Sequence, residues 1–173
     1  MKRAWNIFFR YILAFIFGIF INIFYFIFTP LTVYPVYFIL KLFYPVLLQG
    51  ETLIISTAAI TLVPACIAGS AYYLLLILNL LTPIKLKTRI KALIFSFLAL
   101  LILNIIRIVI FSSLYLSNFA YFDITHWIFW YFLSLLFVFL IWIAEIKIYK
   151  IKTTPLYTDL KYIAGMIKKN KIK

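Results

Sequence analysis

The sequence predicts an all-α integral membrane protein with about four transmembrane helices, an extracytoplasmic hairpin or re-entrant segment, and a cytoplasmic basic C-terminal helix. Three observations predict it. Apolar residues make up 67% of the 173-residue chain and charged residues only 12%, against roughly 45–50% and about 25% in a soluble domain. Four acids against 17 bases cannot solvate a water-exposed surface. The apolar residues also fall into runs of bilayer-crossing length, with bases at their ends. The chain reads as a single membrane domain, 1–173.

The first predicted span is Tyr11 to Phe28, ended by Thr29-Pro30. Met1-Lys2-Arg3 resembles the basic start of a signal peptide, but the apolar part is too long and no small-residue cleavage pattern follows. It reads as retained. Leu31 to Thr61 is apolar but interrupted by Pro35, Lys41, Pro45, Gln49, Gly50 and Glu51. Gln49-Gly50-Glu51 between two apolar runs predicts strand, turn, strand. An open hairpin leaves backbone groups unpaired in hydrocarbon, so 29–61 is an external segment, with an interfacial or re-entrant helix near Tyr37 to Phe43.

The second span is Leu62 to Leu81, the third Ala92 to about Phe111, and the fourth Trp127 to Ile146. Trp127, Trp130 and Tyr131 mark the interfacial end of the fourth. The basic tail 147–173 carries Leu156, Leu160, Ile163 and Ile167 at helical spacing, a pattern for a helix lying on the membrane surface. Lys85, Lys87, Arg89 and Lys91 place the loop between spans two and three in the cytoplasm. Four spans then put both termini on that side of a plasma membrane.

The net charge of +13 comes from scarce acids, and its bases lie at span ends, so no nucleic-acid partner is needed to explain it. One cysteine, one histidine and four carboxylates exclude an intramolecular disulfide and argue against a protein-only metal site. No cofactor is expected.

Counting up from the lysine-marked ends places the reactive residues at one depth. Cys66 lies roughly 22 Å up the second span, Arg107 roughly 24 Å up the third, and His126 roughly 28 Å above Glu145. In a core about 30 Å thick, all three approach the external boundary. A lone cysteine usually packs as a small hydrophobe, and a lone histidine at an interface commonly snorkels. Arg107 differs, because a charge within a span costs at least ~2.5–3.5 kcal/mol and is a functional candidate by default.

Together the three have a coherent chemistry. A thiol attacks as thiolate and an imidazole can take its proton. A helix starting at Pro64 would hold Cys66 in its first turn, and His126 would open the fourth helix after Asp123 and Thr125. Arg107 would stabilise an oxyanion. Asn104, one turn earlier on the same face, would orient Arg107 or donate beside it.

At these residues the chain resembles the archaeosortase/exosortase family of membrane-embedded cysteine transpeptidases. The matching pieces are Val63-Pro64-Ala65-Cys66-Ile67-Ala68-Gly69, Asn104-Ile105-Ile106-Arg107-Ile108-Val109 and Phe122-Asp123-Ile124-Thr125-His126-Trp127. Their order, the basic loop between the first two and the hairpin before the cysteine are similar too, over about Leu48 to Ile146. The chain departs in being short, and in placing Ile67-Ala68 before Gly69 where many members have a small residue and then glycine directly after the cysteine.

The resemblance implies a catalytic Cys66, Arg107 and His126 facing outside. It implies substrates that are exported surface proteins whose C-terminal sorting signal has a short motif, one transmembrane helix and a basic tail. Cleavage near the motif would be followed by transfer of the new C-terminus to a membrane phospholipid. The competing class is a non-catalytic membrane assembly or transporter subunit in which Arg107 pairs with a partner's carboxylate.

Overall fold

The computed structural model describes residues 2–55, 58–129, 132, 134–151, 159 and 162. Most of the basic tail, with Trp130 and Tyr131, lies outside the described residues. The chain is mostly helical: α1 (Lys2–Ile19), α2 (Asn22–Lys41), α3 (Pro64–Ile67), α4 (Gly69–Leu81), α5 (Leu86–Leu116), α6 (Phe122–Ile128) and α7 (Ser134–Ile148). Strands β1 (Val46–Gln49), β2 (Thr52–Ile55) and β3 (Ala58–Thr61) form an antiparallel sheet in that order. Among the described residues, α2 and α5 are long and apolar enough to cross a membrane.

The run expected as one helix from Tyr11 to Phe28 is divided between α1 and α2, with the break at Phe20 and Ile21. Gly18, a weak helix former, stands just before it and lets α4 approach: a Cβ there would meet the Tyr73 hydroxyl at 2.5 Å. That hydroxyl donates to the Ala14 carbonyl at 2.9 Å. Beyond the break, α2 continues through Pro30 and Pro35 to Lys41, where an interfacial helix was expected to begin afresh. Proline is tolerated inside such a helix when neighbouring helices pack against it. Here Phe28, Val33, Val36 and Leu40 are buried among α4, α5 and the sheet.

Phe28 stacks on Tyr72 with centroids 3.5 Å apart, and the Phe97 edge meets both rings. This cluster joins α2, α4 and α5 at mid-bundle. The chain from α1 to α2 advances in one direction along the bundle. Arg10 pairs with Asp159 at the end near Arg89, Ala14 meets Tyr73, Phe28 meets Tyr72, and the last turns of α2 pack on β1.

The expected hairpin is present. Val46↔Ile55 to Gln49↔Thr52 are paired around Gly50, whose φ of 62° supplies the turn. A third strand, which the strand-turn-strand reading did not include, returns as β3, with Thr52↔Thr61 to Ile55↔Ala58.

A polar cluster centred on Glu145 lies inside the bundle. Glu145 of α7 is 1% exposed and accepts hydrogen bonds from Asn79 Nδ2 of α4 at 2.7 Å and Ser96 Oγ of α5 at 2.5 Å. A buried carboxyl without donors is costly, and these two bonds tie α4, α5 and α7 to one register.

Candidate active site

The site forms at the sheet end of the bundle, opposite Arg89. Val63 is extended, Pro64 occupies the first helical turn, and the Cys66 amide donates to the Val63 carbonyl at 2.7 Å. The helix that begins at Pro64 lasts one turn. Ala68, at φ 61° and ψ 34°, takes the left-handed conformation and separates α3 from α4. A non-glycine residue there is strained. A Cβ on Gly69 would come within 2.7 Å of the Tyr25 ring, so α2 presses directly on the turn.

Asn104 holds the same turn from α5. It is buried, and its Nδ2 donates to the Cys66 carbonyl at 2.7 Å and the Ile67 carbonyl at 3.5 Å. Asn104 was expected to orient Arg107 or to donate beside it; its amide nitrogen is engaged by the cysteine turn. Arg107, half-buried one turn further along α5, donates from Nη1 to Ser134 Oγ at 2.7 Å, at the first residue of α7. Arg107 and Cys66 line the same cavity.

His126 lies in the last turn of α6, and Phe129, directly after α6, keeps a helical backbone with π-type geometry. His126 was expected near the start of the fourth helix, after Asp123 and Thr125, and it stands one turn into α6, which begins at Phe122. Its ring stacks on Phe122 at 5.4 Å and 8°, one turn before it, and meets the Phe111 edge at 5.3 Å. These aromatic walls fix the imidazole plane.

Cys66, Arg107 and His126 line one cavity of about 270 Å³. Its other walls are β3 with Leu62 and Val63 on one side, and Ile108, Phe111, Tyr115, Phe122 and Phe129 on the other. Asp123 is exposed in the first turn of α6 and is not among the lining residues. Among the described residues there is no group of three or more metal-ligating side chains.

A thiol, a guanidinium and an imidazole around one apolar chamber can carry out nucleophilic attack on a carbonyl, oxyanion stabilisation and proton transfer. Sequence reasoning missed Ser134, which anchors Arg107, and the phenylalanines that hold His126. The spacing of Phe122 and His126, one helical turn apart, was the available signal. No family model, curated protein or solved structure matches the chain.

Proposed function

We propose that this protein is a membrane-embedded cysteine peptidase and transpeptidase of the archaeosortase/exosortase kind. The observation that carries the reading is the convergence of Cys66, Arg107 and His126, from three separate helices, on one cavity. Cys66 attacks the peptide carbonyl carbon as His126 takes the thiol proton. The resulting oxyanion faces the Arg107 guanidinium, held in place through Ser134. Collapse breaks the C–N bond, and His126 gives its proton to the leaving amine. A phospholipid head-group nucleophile, or water, then loses a proton to His126 and attacks the thioester, and the thiolate leaves and is reprotonated.

In this proposal the chain crosses the bilayer four times, by α1 with α2, by α3 with α4, by α5, and by α6 with α7. The direct advance from α1 into α2 supports counting them as one crossing. Lys85, Lys87, Arg89 and Lys91 then lie in the cytoplasm with both termini, and the cavity opens outside. The substrates are exported surface proteins with a short motif, a transmembrane helix and a basic tail.

A second reading is a non-catalytic membrane subunit in which Arg107 pairs with a partner's carboxylate. It is favoured by one observation: among the described residues, Arg107 has no carboxylate of its own. The test is to compare surface proteins bearing such C-terminal signals in cells carrying wild type or Cys66→Ala. Full-length precursors should accumulate in the variant while the protein remains membrane-inserted. Normal processing would defeat the catalytic reading in favour of the subunit.

A further inference from the structure

The cavity has a feature that the three reactive side chains do not use. One wall is the outer edge of the sheet. Among the described residues β3 pairs with β2 on one side only, and Ala59 and Thr61 are exposed. The register tells which main-chain groups face outward. The Leu62 amide donates to the Glu51 carbonyl at 2.9 Å, and this pair continues the Thr52↔Thr61 register. Leu62 is thus bonded towards β2, and in an antiparallel ladder alternate residues follow suit. Ile60 and Ala58 also point to β2, whereas Ala59 and Thr61 point away from it. The Thr52 and Thr61 hydroxyls, 3.0 Å apart, fit the closer, non-hydrogen-bonded type of pair.

The outward groups are the Ala59 N–H and C=O and the Thr61 N–H. The Thr61 carbonyl already accepts from the Val63 amide at 3.1 Å. Two residues along a strand span roughly 6.6–6.8 Å, a spacing that only an extended chain reproduces with alternate N–H and C=O groups. A helix has no such groups to offer along its sides. The edge runs directly into the cysteine turn, and Ala59, Ile60 and Thr61 share the cavity with Cys66.

We propose that the open edge of β3 binds the substrate's main chain as a fourth strand and so carries its scissile carbonyl to Cys66. The proposal rests on the peptidase reading and names how that site takes its substrate: as an extended segment, recognised through its backbone, with apolar side chains against the phenylalanine wall. Backbone pairing of this kind gives affinity, and pockets for alternate side chains give selectivity.

The test measures binding without catalysis. The protein with Cys66→Ser is placed in lipid nanodiscs, and a fluorescent Thr-Val-Thr-Val-Thr peptide is the probe, with empty discs as control. N-methylation removes N–H donors. Valine and threonine amides point to opposite edges of the extended peptide, so methylating one set should weaken binding about tenfold or more while methylating the other leaves it unchanged. Ala59→Pro, which removes an outward N–H and spares the β2 ladder, should cause a similar loss with maleimide labelling of Cys66 unaltered when introduced into the wild-type protein.

Equal effects of the two methylated peptides, or no binding above empty discs, would overturn the proposal. So would self-association of the protein that Ala59→Pro abolishes, which would make a second copy the occupant of this edge. Period-two binding in a protein that processes nothing would instead remove the peptidase reading and leave the strand-pairing edge standing.

Discussion

The Asn104 side chain donates to the Cys66 main-chain carbonyl at 2.7 Å, so the helix that presents Arg107 also holds the cysteine turn. The thiol and the guanidinium therefore move as parts of one assembly. The distance between the two groups is set by α5, with Asn104 fixing the turn one helical turn before Arg107.

Replacing Asn104 should uncouple them. Asn104→Leu leaves the Cys66 carbonyl without its donor in a buried place, which costs about 1–3 kcal/mol. Thermal unfolding in detergent should register the loss. Asn104→Asp should be at least as damaging, because a carboxylate cannot donate to a carbonyl. Unchanged stability and processing in both variants would remove the positioning role.

Ala68 should prefer to be glycine. Its left-handed conformation costs an L-residue roughly 1–2 kcal/mol, partly offset by glycine's greater freedom in the unfolded chain. Ala68→Gly should hold or raise the unfolding temperature, and Ala68→Val should lower it sharply. The opposite order in a melting experiment would show that the turn is not built this way.

Gly69 and Tyr25 should behave as a coupled pair. The Cβ of Gly69→Ala would lie 2.7 Å from the Tyr25 ring, so the variant must push α2 off the cysteine turn. Adding Tyr25→Leu should recover much of the lost stability, an interaction energy within the 0.5–3 kcal/mol range of contacting residues. Strictly additive losses in the double-mutant cycle would contradict the close contact.

Arg107 should tolerate neither loss of charge nor loss of shape. Arg107→Lys replaces a planar fork with a point charge and gives up the geometry that reaches Ser134 at 2.7 Å. Processing should fall to near background in Arg107→Lys and partially in Ser134→Ala. Near-wild-type turnover of Arg107→Lys would mean that charge alone suffices.

Glu145 should matter to stability and not to the cavity chemistry. Glu145→Leu strands the Asn79 and Ser96 donors and should cost about 1–3 kcal/mol. Glu145→Gln, which can still accept at its amide oxygen, should cost less. Both variants, where folded, should keep the Cys66 labelling rate of wild type, and a large change in that rate would tie this cluster to the site.

That Cys66, Arg107 and His126 share one cavity was legible because charged residues mark the helix ends and an α-helix converts residue count into distance along its axis. The same arithmetic is blind to rotation about the helix axis. It therefore assigned Asn104 to Arg107, its neighbour on the same face, whereas the packing of α3 on α5 presents the amide to the Cys66 carbonyl. Glu145 looked like a charge at the end of a span beside Lys147, and only the convergence of Asn79 and Ser96 shows why it can be buried. β3 was hidden because Ser56 and Thr57 continue the β-prone composition of β2. The continuity of α2 through Pro30 and Pro35 depends on neighbours distant in sequence.

The most direct test of the central claim uses Cys66 as the only thiol in the chain. Intact cells or oriented vesicles are treated from outside with a membrane-impermeant maleimide, and the labelling rate is followed in wild type and His126→Ala. Labelling should occur from the outside and slow about a hundredfold or more without the imidazole, the lower end of the 10²–10⁴-fold scale of general-base assistance. Absence of external labelling in the folded protein, or a rate indifferent to His126, would contradict an outward-facing, base-activated nucleophile.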